Sequence, residues 1–376
     1  MIFYLTISEA YSGIFSSQVI DVVKFFEKNI NAKIKLVAFI SIRDYFLNRS
    51  KIKAEMPNAI ILPMWPKLRN WKLNKILLRI YCSVYKPKTI IARSVIATNL
   101  ALLMRDNKNC DKVIYDGRGA IEAEWKEYNV VNDEFLLNEI YSYEKKAILN
   151  SDFRIAVSNS LAEFWENKYS YIGNKHVVIP CTLNSDFKKI KLSSASISDK
   201  RKQLNLDDSD EVFVYSGSIA GWQSFDLIFS FIEPILKQSS KNKIVFFSPS
   251  NSNLDKLLKL FPKQVICKHL NAKDVSDFLI VGDYGLLIRE DSITNQVASP
   301  VKFAEYLACG LRVVISDKLG DYSKLAVQNN WGYLYTNFND LLLKPSLTEK
   351  QKISEDAINH FSKENYISQY KQLLIV

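Results

Sequence analysis

Short apolar runs alternate with amphipathic stretches along the whole chain. Ile2 to Ile7, Ile34 to Ile40, Ala59 to Leu62, Thr89 to Ala92, Lys112 to Tyr115, Phe153 to Val157 and His176 to Ile179 have the length and composition of buried strands. Between them, Val19, Val22, Val23 and Phe26, then Val95 to Met104, Glu134 to Leu149 and a stretch capped by Ser158-Asn159-Ser160, recur at helical spacing. From Thr182 to about Asp210 the chain turns polar, which reads as a linker. The alternation then restarts. Val212 to Tyr215, Lys243 to Ser248, Gln264 to Cys267, Tyr284 to Ile288, Leu311 to Ile315 and Gly332 to Tyr335 read as strands, with helices between them. Alternating strands and helices predict an α/β protein of two parallel-sheet domains, residues 1–185 and 206–348, with helical composition over 349–376.

The densest pattern runs from Asp283 to Ser316. The strand Tyr284 to Ile288 leads into a polar segment, Arg289 to Ser299; Pro300 then suits a helix start, and Phe303, Ala304, Leu307 and Ala308 share one helical face. Gly310 supplies the stop before the next strand. In a βαβ unit this loop lies at the carboxyl end of the sheet, where a helix amino terminus offers free N–H groups to an anion. Lys302 adds charge there, and Glu305, nearly one turn on, suits the paired hydroxyls of a ribose.

Elsewhere, Asp116-Gly117-Arg118-Gly119 ends a strand with a carboxylate and a guanidinium on flexible backbone. Arg118 could clamp a phosphate and Asp116 contact a hydroxyl, or the two could pin the turn. Ser216 to Gly221 is a glycine-bearing loop able to cradle a diphosphate through Gly217 and Ser218. Gly13 ends the first strand's loop, where a ligand could approach the backbone. Over residues 63–88, Trp65, Trp71, Leu73, Ile76 and Ile80 mix with Lys67, Arg69, Lys72, Lys75 and Arg79, and no acidic residue interrupts them. Such a segment fits either an anionic bilayer surface or the solvent face of a sheet-covering helix.

The net charge of +10, from 50 Lys and Arg against 40 Asp and Glu, favours anionic partners. No nucleic-acid reader motif accompanies it. Five widely spaced cysteines without C-x-x-C pairing argue for a reducing compartment, and three scattered histidines argue against a metal cluster or a His-based triad. No run of about eighteen apolar residues suggests a membrane span, and the start of the chain reads as a strand rather than a signal peptide.

Ser299-Pro300-x-Lys302-x-x-Glu305-Tyr306-Leu307-Ala308-x-Gly310 resembles the donor-binding signature of retaining GT-B glycosyltransferases, particularly glycosyltransferase family 4. The Asp116 to Gly119 element resembles those bacterial members that build cell-surface polysaccharide. The resemblance implies two Rossmann-like domains facing each other across a cleft, with the C-terminal helix crossing back to the first. It implies a nucleotide-sugar donor on the second domain and a glycan acceptor, lipid-linked in many relatives, on the first. Donor contacts would come from Gly13, Gly217, Ser218, Gln223, His269, Glu290, Ser299, Pro300, Val301 and Glu305. Asp116, Arg118, Arg289 and Lys302 would serve catalysis. No cofactor or metal is implied beyond the donor, since no D-x-D ends a strand. The place would be the cytoplasmic face of a membrane, touched peripherally through 63–88 in capsule, O-antigen or exopolysaccharide synthesis. Two departures stand out: Ser218 and Gln223 occupy the place of the family's diphosphate-neutralising Arg and Lys, and Val297 that of its first glutamate, with Glu290 the nearest substitute. They keep open a non-catalytic nucleotide-sugar or glycan-binding protein, and a GT-B epimerase shares the donor.

Overall fold

The computed structural model describes residues 1–218, 220–337 and 343–375; Ile219 of the glycine-bearing loop, residues 338–342 and Val376 lie outside them. Two compact units result. The first is Met1–Thr182 with Val297–Ser299 and Lys363–Val376, and the second is Leu183–Gln296 with Pro300–Ser362.

The first unit is built on seven parallel strands: β1 (Ile2–Ile7), β2 (Ile34–Ser41), β3 (Ile60–Met64), β4 (Thr89–Arg93), β5 (Lys112–Gly117), β6 (Phe153–Ala156) and β7 (His176–Val178). Their order is β3-β2-β1-β4-β5-β6-β7, so the winding reverses between β1 and β4. Every residue of β1 is buried, because helices cover both faces of the sheet. Phe3 and Leu5 join one core with Trp71, Leu100 and Trp165. Tyr4 points to the other, with Val19, Phe26 and Tyr370. Tyr370 lies on the last helix, Ile367–Ile375, and its ring meets Phe25 and Phe26 at 5.5 and 5.1 Å. The C-terminal segment is thus built into the first unit's core. It is not one helix, since Leu347–Phe361 belongs to the second unit and a 3-10 turn, Lys363–Tyr366, intervenes.

The basic aromatic stretch folds as a 3-10 turn, Leu68–Asn74, and a helix, Lys75–Tyr85. Trp71, Leu78 and Cys82 face the core. On the outside Leu73, Ile76, Ile80 and Val84 remain 47 to 69% exposed, a second apolar stripe that covering the sheet does not require.

The second unit has six parallel strands: β8 (Glu211–Ser216), β9 (Asn242–Phe247), β10 (Val265–Cys267), β11 (Tyr284–Leu287), β12 (Arg312–Ile315) and β13 (Gly332–Leu334). The order β10-β9-β8-β11-β12-β13 reverses between β8 and β11. The stretch expected as a linker contains a 3-10 turn, Ser185–Lys189, and a helix, Ser194–Lys202, begun by a Ser193/Ser196 capping box. Serines that look like linker composition are here a helix start. Arg201 of that helix is buried, and its Nη2 meets Asp283 at 2.9 Å, while Lys350 Nζ lies 3.1 Å from the same carboxylate. Burial opposes the Asp283 charge, but Lys350, Arg201 and Lys344 outweigh it and hold its pKa below the ordinary value. This clasp fixes two helices to the amino end of β11.

Candidate functional site

In the second unit the chemistry gathers at the β8/β11 reversal. The helix Val301–Ala308 buries Phe303, Ala304, Tyr306, Leu307 and Ala308, with Pro300 as its N-cap rather than its first turn. It packs close to β11 because Gly285 has no side chain, since a Cβ there would meet the Tyr306 ring at 2.4 Å. The Tyr306 hydroxyl accepts from the Ser216 N–H at 2.9 Å, tying the helix to the end of β8. That closeness lays Lys302 across Gly217, where φ is +133° and a Cβ would lie 2.5 Å from Lys302 Cε.

Lys302 Nζ donates to the Tyr215 hydroxyl at 2.9 Å and to Gln223 Oε1 at 2.8 Å, and sits 4.0 Å from the Tyr215 ring centre. Arg289, leaving β11, sends Nη2 to the same Gln223 oxygen and Nη1 to Asn295 Oδ1, both at 3.3 Å. One neutral amide oxygen therefore gathers two cations. Tyr215 in turn donates to the Ser218 carbonyl at 2.6 Å, linking Lys302 to the glycine loop. Lys302 forms no ion pair among the described residues. Burial, and next the neighbouring Arg289, drive its pKa well below the ordinary value, with Glu305 opposing.

Glu305 is half-buried, and its carboxylate makes no hydrogen bond or ion pair with any described residue. Burial pushes it up to about 7, with Lys302 pulling the other way. A carboxylate left in this condition beside Lys302 has capacity for an external donor such as a hydroxyl.

The side chains of the other expected donor residues fall outside this network, which Ser218 and Glu290 join only through their main-chain carbonyls. Ser218, His269 and Glu290 are exposed, and Glu290 is tied only through its main chain, whose N–H donates to Ser224 Oγ at 3.0 Å. Pro300 and Val301 shape the helix start. Ser299 belongs to the first unit, where its hydroxyl accepts from the Cys181 N–H at 2.9 Å. Gly13, also in the first unit, is exposed at the start of a short helical turn. Tyr215 was not legible as a site residue, because its pattern is that of any core strand.

The first unit has a polar cluster at its own reversal. Asp116, at the end of β5, is fully buried; it accepts from the Tyr4 hydroxyl at 2.5 Å, and its Oδ1 lies 3.0 Å from Arg118 Nε. Arg93 closes β4 and donates through Nε to both oxygens of Glu9, at 3.2 and 3.0 Å. Its Nη1 stands 3.9 Å from Asp116 Oδ2. Sequence reasoning found Asp116 and Arg118 but missed Tyr4, Glu9 and Arg93. Nearby, Glu122 pairs with Lys126 and Lys168, and Glu144 accepts the Ile121 and Glu122 N–H groups. Glu124 has no partner among the described residues, and burial, with Glu144 adding, raises it to about 7.

Solved structures share this fold over nearly their whole length. Sucrose-phosphate synthase from Thermosynechococcus elongatus matches with a TM-score of 0.72 at 14% identity, covering 99% of this chain and 98% of that one. HepE from Anabaena, in complex with UDP and glucose, gives 0.66 at 12%, covering 99% and 98%. UDP-GlcNAc 2-epimerase from Neisseria meningitidis, bound to UDP-GlcNAc, gives 0.63 at 14%, covering 100% of both. The chain has the GT-B fold. No family model and no curated protein matches it. At these identities the likeness defines the fold, which a synthase and an epimerase share, and leaves the reaction to the site.

Proposed function

We propose that this chain is a retaining, metal-independent glycosyltransferase of the family 4 type. It moves a sugar from a nucleotide-diphosphate donor on the second unit to a glycan acceptor on the first, in synthesis of a bacterial surface polysaccharide. The observation that carries this reading is the convergence of Lys302 and Arg289 on Gln223 beside the unpartnered Glu305. A diphosphate fits the two cations and the Gly217 backbone, while the ribose hydroxyls fit Glu305. The cations that the loop lacks at Ser218 and Gln223 come in this reading from the helix and from the end of β11.

In the transfer step the bond from the anomeric carbon to the diphosphate breaks, and the acceptor oxygen bonds to that carbon on the same face. The acceptor proton passes to the leaving phosphate oxygen. Lys302 and Arg289 stabilise the charge that grows there, so positioning and fixed electrostatics carry the rate. Asp116, expected to contact the acceptor hydroxyl, is fully buried and instead holds Tyr4 and Arg118 in place. A lipid-linked acceptor agrees with the exposed Leu73, Ile76, Ile80 and Val84 beside Lys72, Lys75 and Arg79. No helix among the described residues is long and apolar enough to cross a membrane.

The test is thermal stabilisation by UDP, GDP, ADP and CMP of the native chain, Lys302→Ala and Glu305→Ala. One diphosphate should stabilise the native chain, by about 2.7 kcal/mol at 100 times its dissociation constant, and neither variant. Stabilisation by none of them sinks the donor site. Conversion of the bound sugar nucleotide without an acceptor would make the chain an epimerase instead.

A further inference from the structure

Tyr215 lies one residue from the end of β8, in the core of the second unit, yet its hydroxyl serves no core group. The side chain is 1% exposed, and its ring packs on Phe225 and Phe246 with centres 4.8 and 6.0 Å away. A phenylalanine would fill that place with nearly the same shape, as its two ring neighbours do. Only the hydroxyl differs, and both of its partners belong to the donor site. It accepts from Lys302 Nζ at 2.9 Å and donates to the Ser218 carbonyl at 2.6 Å. Burial raises the pKa of the phenol, so it keeps its proton and holds Lys302 as a neutral acceptor. Across Gly217, the Tyr306 hydroxyl accepts the Ser216 N–H. Two phenols therefore bracket the glycine-bearing loop, and of the two only Tyr215 also bonds the cation.

We infer that Tyr215 is a positioning residue of the donor site, whose hydroxyl sets the Lys302 ammonium and the Ser218 end of the loop at one fixed separation so that both meet the same diphosphate. The inference rests on the donor reading proposed above. Without the hydroxyl, Lys302 keeps Gln223 Oε1, an acceptor that Arg289 already shares, and its flexible stem is free to turn away. The groups that bear on the Lys302 charge are Arg289 from the end of β11, Glu305 on its own helix and this phenol. The phenol gives its own proton to Ser218, so its oxygen supports the ammonium and not the free amine. Its loss should let Lys302 deprotonate at lower pH.

The experiment is calorimetric titration of the native chain, Tyr215→Phe and Phe213→Leu with UDP, GDP and ADP from pH 7.5 to 9.5. Phe213 is buried on the same strand and stacks on Tyr284, so its variant reports what core damage alone does. Urea unfolding places both variants on one stability scale. The diphosphate that binds the native chain should bind Tyr215→Phe roughly tenfold more weakly at pH 7.5, with the loss growing toward pH 9.5. It should bind Phe213→Leu as it binds the native chain. Equal affinity in Tyr215→Phe, a deficit that is the same at every pH, or a matching loss in Phe213→Leu overturns the inference and leaves the donor site standing. Binding of none of the three to the native chain overturns the donor reading, and the inference falls with it.

Discussion

Replacing Glu305 by glutamine should stabilise the protein above neutral pH while removing nucleotide binding. The folded carboxyl titrates at about 7 against an ordinary 4.5. Between these values the unfolded chain binds fewer protons at this position than the folded one, so folding stability falls as pH rises through the window. At 1.36 kcal/mol per pH unit the full effect is roughly 3 kcal/mol, an upper bound because the side chain keeps some contact with water. About 1 to 3 kcal/mol remains, or roughly 3–8 °C for a unit of this size. The amide would keep the shape of the side chain and carry no charge. Melting curves of both proteins from pH 4.5 to 8.5 should coincide at the acid end and separate as pH rises, with the variant higher. UDP should stabilise only the native chain, because an amide cannot replace a carboxylate toward two hydroxyls. Equal melting at pH 8.5, or a variant that still binds UDP, would falsify the assignment. A residue kept for stability would show the opposite order.

Further consequences concern other parts of the chain. Gly217→Ala would place a Cβ 2.5 Å from Lys302 Cε at φ +133°. The backbone should lose about 1–3 kcal/mol, and Lys302, having a flexible stem, should swing off Tyr215 and Gln223. UDP affinity should then fall at least about tenfold by calorimetry, and unchanged affinity would show that the Lys302 position does not matter. Asp283→Ala leaves Arg201 and Lys350 buried without their carboxylate, which should cost about 3–5 kcal/mol in urea unfolding; a loss below about 1 kcal/mol would refute the clasp. Ile76→Ser with Ile80→Ser should release the chain from anionic vesicles in flotation while leaving its melting temperature within a few degrees, since both side chains are exposed. Equal flotation of native and variant chains would remove that face from the membrane reading.

The two-sheet architecture was legible because its strands are buried on both faces and read as apolar runs between turn signals. The helix Val301–Ala308 was legible from its apolar face and end signals, and with it the placing of Lys302 at its amino end, whereas its reach to Tyr215 and Gly217 at the end of β8 was not. Two kinds of feature were not. The Ser-rich linker proved to contain a helix, because capping residues and loop residues are chemically the same. Tyr4 and Tyr215 sit inside strand patterns, where period and composition report burial and are silent on the hydroxyl at the tip, and Arg93 follows a strand pattern that ends one residue before it. Partners drawn from several strands are visible only once the sheet order is known. Glu9 and Arg93, 84 positions apart, meet only because β1 pairs with β4.

The two reversals solve different electrostatic problems. In the first unit each cation has a carboxylate of its own, Glu9 for Arg93 and Asp116 for Arg118, so the cluster is close to neutral without a ligand. In the second, Lys302 is held by a phenol and an amide, neutral oxygens that position its charge without cancelling it. Burial therefore bears on Lys302 far more directly, and its pKa falls, whereas at Arg118 burial is outweighed by the adjoining carboxylate and the pKa rises. A strongly anionic ligand such as a diphosphate would favour the charged form of Lys302 that burial opposes.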